Sequence, residues 1–176
     1  MDYAFLRDAF HPSERWTLKE DGLEVAYGER PGGLIPFGAI RALRLREAGT
    51  RADPLRHECE LTTAQGTFLL LNRDYRGVMD FQNQSEAYNA FVKALHGRLA
   101  NQPGVAFRQG DPGWRYALNV AGMGVATLIL VPLMFLLSLP GILLGAFVLF
   151  LGFRYMLRNR PKPYDPNNLG SEQLAP

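Results

Sequence analysis

The chain is short of the residues that catalysis and metal binding draw on. Its 176 residues include one cysteine and three histidines. Cys59 has no internal partner for a disulfide, which fits a reducing compartment. His11, His57 and His96 stand far apart, without the spacing of metal ligands. No Gly-x-Ser-x-Gly elbow, phosphate loop or dinucleotide fingerprint occurs. Gly122-Met123-Gly124 falls in an apolar run and is no phosphate cradle. These absences predict a non-enzymatic chain with no catalytic residue, no cofactor and no bound metal.

Charge is the next absence. Residues 117–153 are 37 consecutive positions without Asp, Glu, Lys, Arg or His. The mean hydropathy of -0.10 conceals this run, because the rest of the chain is polar. Crossing about 30 Å of hydrocarbon takes about 20 helical residues, so the run is too long for one crossing and barely enough for two. Ser138-Leu139-Pro140-Gly141 breaks it in the middle, since proline removes a backbone donor and glycine favours a turn. A hairpin over 114–157 follows, with helices at Trp114–Leu137 and Gly141–Leu157 and a kink at Pro132. One crossing plus a re-entrant segment is the rival. Arg108 and Arg115 precede the run, and Arg154, Arg158, Arg160 and Lys162 follow it. The turn carries no charge, so the positive-inside rule puts both flanks, and both termini, in the cytoplasm. Trp114, Tyr116 and Tyr155 fall at headgroup level. The N-terminus does not read as a signal peptide, because Asp8 and His11 interrupt any apolar stretch. The excess of basic residues lies beside the run, which points to a membrane flank and away from nucleic acid. Gly141 and Gly145 show small-residue spacing, and Gly122, Gly124 and Gly152 add small surface. They pack the two helices together or meet another membrane protein.

Residues 1–113 hold 14 Lys+Arg and 15 Asp+Glu, near neutrality. Residues 1–12 form a terminal segment in which Phe5, Leu6 and Phe10 make an apolar patch, set against the domain or the bilayer. Within 13–101, short alternating stretches predict strands. They are Arg15–Lys19, Leu23–Tyr27, Leu34–Phe37, Ile40–Leu45, His57–Leu61 and Phe68–Leu71, with a seventh in Gly77–Phe81. Turns are expected at Asp21-Gly22, Pro31-Gly32-Gly33, Ala48–Pro54 and Gln65-Gly66. The period then changes to that of a helix, N-capped by Ser85. Its stripe is Tyr88, Phe91, Val92, Leu95 and Leu99. The fold class is α+β: a small antiparallel barrel or sheet of six to seven strands capped by this helix. A linker, 102–113, leads to the hairpin, and a proline-rich tail, 158–176, follows it.

Asp21-Gly22-Leu23, Ile35-Pro36-Phe37-x-x-Ile40 and Tyr88-x-x-Phe91-Val92-x-x-Leu95 resemble a bacterial pleckstrin-homology-like domain over roughly Ser13 to Ala100. The resemblance implies a binding or scaffolding habit. Lipid-binding members carry a basic first hairpin loop. Here it reads Lys19-Glu20-Asp21-Gly22, which argues against phosphoinositide as a ligand.

Three surfaces are candidates for interaction. Arg41, Arg44 and Arg46, with Arg51 and Arg56 nearby, either face anionic headgroups or an acidic partner, or pair with Glu58 and Glu60 on the next strand. Arg73, Tyr75 and Arg76 lie in an expected loop, 72–77, where Tyr75 is exposed or folds onto the core. Tyr164, among the tail prolines, is disordered or docks on a partner or on the chain's own domain. The expected function is a membrane-anchored binding or scaffolding module, an accessory to an inner-membrane assembly. Its partners would be the lipid bilayer and another membrane protein or complex. The alternative is an anionic-lipid sensor or lipid-handling accessory.

Overall fold

A computed structural model of the chain describes residues 1–50, 53–136, 139–171 and 173–176, with the backbone alone at 135 and 136. The expected turn at Ser138, the end of the first crossing at Leu137 and the Arg51 part of the basic cluster lie outside the described residues. The chain forms two units. One comprises Met1–Gln109 together with Pro163–Pro176, and the other is Gly110–Lys162.

Among the described residues the first unit is α+β, with no closed barrel. Its first sheet is antiparallel, in the order β1 (Asp2–Phe5), β2 (Glu14–Leu18), β3 (Gly22–Tyr27), β4 (Arg30–Pro36). A second sheet is built on β5 (Ile40–Glu47), β6 (His57–Thr63) and β7 (Thr67–Leu71). A third is the hairpin β8 (Arg73–Gly77) and β9 (Asp80–Asn83). Helix α1 (Ser85–Leu99) follows. β10 (Ala106–Gln109) pairs parallel with β5, and a two-residue strand, β11 (Lys162–Pro163), ends that sheet's order.

The expected strands from 15 to 71 correspond to β2 through β7, but several details differ. The terminal segment holds β1, whose Tyr3 and Phe5 are buried while Phe10 is 95% exposed. The seventh strand is two strands, because Val78 and Met79 form a turn inside the expected Gly77–Phe81 stretch. Met79 there takes a positive φ of 59°. Pro31-Gly32-Gly33 is strand, and the reversal falls at Gly28 (φ +60°) and Glu29. β4 is an edge strand, where a proline leaves no ladder hydrogen bond unmade. The first hairpin turns at Glu20 and Asp21, closed by Lys19 N–H donating to the Gly22 carbonyl at 2.9 Å. Gly22 is small for a different reason than the turn: a Cβ there would lie 2.5 Å from the Ile35 carbonyl oxygen of β4.

Alternation places Trp16, Leu23, Val25, Leu43, Leu45, Leu61 and Leu70 in one core with the apolar face of α1. Burying each such side chain contributes roughly 1.5–3 kcal/mol. Phe91 and Tyr88 meet Tyr3 of β1, with ring centroids 5.8 and 6.3 Å apart. The Tyr3 hydroxyl donates to the Leu71 carbonyl at 2.6 Å, so burying that ring strands no donor. Ser85 is the first helical residue and not the cap; Asn83 Oδ1 accepts its N–H at 2.9 Å and its hydroxyl at 2.6 Å. The expected 102–113 linker contains β10.

The second unit holds α2 (Gly113–Leu136) and α3 (Leu139–Arg158), both long and apolar enough to cross a membrane. Pro140 sits in the first turn of α3, where a missing N–H costs nothing. Leu128, Ile129, Leu143, Leu144, Phe147 and Phe150 are all more than half exposed. In a core helix of a water-soluble protein such side chains would be covered.

Candidate functional site

The arginines of β5 are set by register. Arg44 stands opposite Glu60 and Arg46 opposite Glu58 in the β5–β6 ladder. Arg44 Nε lies 4.0 Å from Glu60, and Arg46 forms an ion pair with Glu58. Arg56 joins the same Glu58 carboxylate at 2.7 Å. Glu58 is almost fully buried, and these arginines are half-buried; Arg41 alone of the predicted trio is exposed. Arg44, Arg46 and Arg56 thus form an ion-pair network with Glu58 and Glu60.

The 72–77 stretch is strand from Arg73 onward, in place of the expected loop. Arg73 is buried, with Nε 3.1 Å from Asp53 Oδ1, an ion pair that fastens the preceding loop. Asn72, fully buried, accepts the His57 N–H at 2.7 Å and donates to the Leu55 carbonyl and the Ser85 hydroxyl. Tyr75 stacks edge-on against Phe81, centroids 5.7 Å apart. Arg76 is exposed, paired with Asp74 at 2.8 Å and with Gln82. Beyond them the turn presents Val78, 89% exposed, and Met79, 71% exposed.

The described tail residues Tyr164, Leu169 and Ala175 pack against the core of the first unit. Tyr164 packs on Phe107 of β10 and on His96 of α1. His96 Nδ1 lies 2.7 Å from the Val92 carbonyl, which makes Nδ1 the protonated nitrogen and Nε2 the acceptor. The Tyr164 hydroxyl then donates to Nε2, 2.7 Å away. Burial pushes the His96 pKa down to about 4, so the ring is neutral near pH 7. Burial likewise pushes the Tyr164 hydroxyl well above its ordinary range. Farther along, Asn89 of α1 holds Ala175 at both backbone groups, donating to its carbonyl at 2.8 Å and accepting its N–H at 2.9 Å. Gln173 donates to Gln109 of β10 at 2.8 Å. Among these residues only Tyr164 was singled out from the sequence. Asn89, His96 and Phe107 carry no motif, and the position of Asn89 on the polar side of an amphipathic helix gives no signal.

In the second unit, Gly145 and Gly152 are packing positions between the helices. A Cβ on Gly145 would lie 2.8 Å from Met134, and one on Gly152 would overlap Met123. Gly122 and Gly124 face open space, and Gly141 lies in the first turn of α3. A polar cluster unseen in the sequence joins the helix ends. Buried Asp111 accepts from Asn119 at 3.2 Å and Tyr155 at 3.4 Å, and its N–H donates to the Asn159 carbonyl at 3.0 Å. Gly110 makes this approach possible: its φ is +83°, and a Cβ would lie 2.6 Å from the Arg160 carbonyl oxygen.

Among the described residues no three His, Cys, Asp or Glu side chains gather to hold a metal. Cys59 is buried, and burial pushes its thiol up, away from the reactive thiolate. Compared with family models, curated proteins and solved structures, the chain finds no match in any of the three.

Proposed function

We propose that the chain is a non-enzymatic, membrane-anchored binding module of the bacterial cytoplasmic membrane, serving as an accessory to a larger membrane protein assembly. The observation that carries this reading is the connectivity. Residues on both sides of two long apolar helices belong to one folded unit. If the hairpin lies in the bilayer, a tail that returns to its domain needs an even number of crossings. That supports two crossings over one crossing plus a re-entrant segment. The basic flanks support a cytoplasmic domain and cytoplasmic termini. A series of strands followed by α1 is in keeping with a pleckstrin-homology-like reading of the first unit, in an open-sheet form.

The surface we assign to the partner is the β8–β9 tip. Exposed Val78 and Met79 are held out by a hairpin that Tyr75, Phe81 and the Arg76–Asp74 pair stiffen. The β5 arginines serve this role less well, because Glu58 and Glu60 already engage them. Purification from membranes in mild detergent tests the reading. A stoichiometric protein partner that is lost from the Val78→Asp/Met79→Asp double variant supports it. Bound anionic phospholipid without a protein partner would favour a lipid-handling role.

A further inference from the structure

Most of the core of the first unit comes from the strands and α1; the tail adds buried Ala175, with Tyr164 and Leu169 packed against the core. β1 covers the apolar face of α1, with Tyr3 against both Tyr88 and Phe91. The tail lies along α1 and β10, with Tyr164 on buried His96 and Gln173 on Gln109. Its hydrogen bonds to α1 fall at the two ends of a segment whose described residues between Tyr164 and Ala175 form turns, with no strand or helix among them. At one end an aromatic ring enters between His96 and Phe107, and its hydroxyl meets the one imidazole nitrogen able to accept. At the other end Asn89 reads the N–H and C=O of a single residue. An amide that pairs with a backbone in this way recognises the main chain, and the burial of Ala175 restricts the side chain there to a small one. Between these anchors Gln109 takes one further hydrogen bond, from Gln173. Such a seat has the parts of a peptide-recognition site: a pocket for specificity and backbone pairing for affinity.

We infer that the face formed by Asn89, His96, Phe107 and Gln109 is a peptide-binding site, and that the tail, through residues 164–171 and 173–175, is its ligand, bound in cis as a releasable latch. The ligand class is a turn-containing segment with a tyrosine at its leading end and, about eleven residues on, a small residue read at its backbone N–H and C=O. Tethering maintains occupancy. β11 pairs with β10 directly before Tyr164 and holds the tail beside its seat; at an effective concentration of the order of millimolar, a segment that binds in trans at about 100 µM stays docked roughly ten to one. A releasable latch therefore opens far more often than the sheet beneath it.

Hydrogen exchange on the full chain in detergent tests this. In the parent, the Tyr164 and Ala175 amides should be protected, and less so than those of β5 and β6. Asn89→Ala should speed exchange across 169–175 at least tenfold and leave β5 and β6 unchanged. A labelled peptide of residues 163–176 should bind a chain ending at Lys162, and bind the full chain at least tenfold more weakly because the seat is taken. Equal acceleration of β5 and β6 in Asn89→Ala would make the tail part of the cooperative core and overturn the inference. So would an unprotected parental tail, a peptide that binds both chains equally or neither, or a shortened chain that no longer folds.

Discussion

The Tyr164 hydroxyl lies 2.7 Å from His96 Nε2, although two apolar helices separate the residues in the chain. This pair joins the segment after the hairpin to the helix before it. It also places a neutral imidazole in a buried, hydrogen-bonded site.

Acid should therefore weaken the domain in a defined window. The folded pKa of His96 is depressed, to about 4 from an ordinary 6.5. Its contribution is fully present above pH 6.5, where neither state is protonated. As pH falls from 6.5 to 4 the unfolded chain takes up a proton that the folded chain refuses, and stability falls. A shift of this size amounts to about 3 kcal/mol by pH 4. Thermal melts between pH 7 and 4.5 should show the loss, and His96→Gln should flatten it. A parental melt unchanged over that range would contradict the buried neutral ring.

Phe91 is fully buried against Tyr3. Phe91→Ala should cost about 3–5 kcal/mol, a large share of the stability of a small domain. Chemical denaturation of the full chain in detergent, followed through a near-ultraviolet signal of Trp16, reads this directly. A variant as stable as the parent would mean that α1 does not rest on β1.

The neck of the hairpin should be intolerant of a side chain at Gly110. Gly110→Ala would place a Cβ 2.6 Å from the Arg160 carbonyl oxygen in a left-handed backbone. That conformation alone costs an L-residue about 1–2 kcal/mol. The variant should melt lower and be cleaved sooner by protease at 109–112 and 159–162. Unchanged cleavage at both places would refute this close approach.

Because the domain is discontinuous, its two pieces should fold together without the hairpin. Tyr164 N–H approaches the Phe107 carbonyl at 3.4 Å, so the ends to be joined are neighbours. Replacing residues 110–162 with a short glycine-rich link should yield a water-soluble domain with a cooperative melt. A chain ending at Asn101 lacks β10 and the tail and should be less stable. Sedimentation of the linked domain with anionic vesicles should show no salt-sensitive binding, since Glu58 and Glu60 engage Arg46 and Arg44. Binding that rises at low salt and vanishes in Arg44→Ala/Arg46→Ala would put the lipid-sensing function first.

Sequence reading reached what local pattern encodes. Alternation located β2 to β7, helical spacing gave the buried stripe of α1, and the charge-free run gave two helices within a few residues of α2 and α3. The pairing of Arg44 and Arg46 with glutamates was legible because strand register places them opposite Glu60 and Glu58. What escaped depends on distant partners. β1 is only four residues, and its Tyr3 and Phe5 make sense only once α1 covers them. β10 offers one large apolar residue, Phe107, and its parallel partner β5 lies some sixty positions earlier. Of the tail's seat, Tyr164 was visible as a candidate, whereas Asn89 and His96 look like ordinary helix positions until Ala175 and Tyr164 arrive.

The central claim is that one domain is assembled from segments on both sides of an apolar helical hairpin, which we propose lies in the membrane. Crosslinking in intact membranes tests it most directly. The double variant Lys93→Cys/Pro176→Cys, one helical turn from Asn89 and one residue past Ala175, keeps the Asn89–Ala175 hydrogen bonds and should be treated with a short bis-maleimide. Buried Cys59 should stay unreactive in the folded chain. The account predicts an efficient intramolecular crosslink within the membrane-bound chain, because the tail emerges on the domain's side and docks there. An uncrosslinked pair, with the thiol introduced in the tail labelled only by a reagent confined to the opposite face of the membrane, would contradict it.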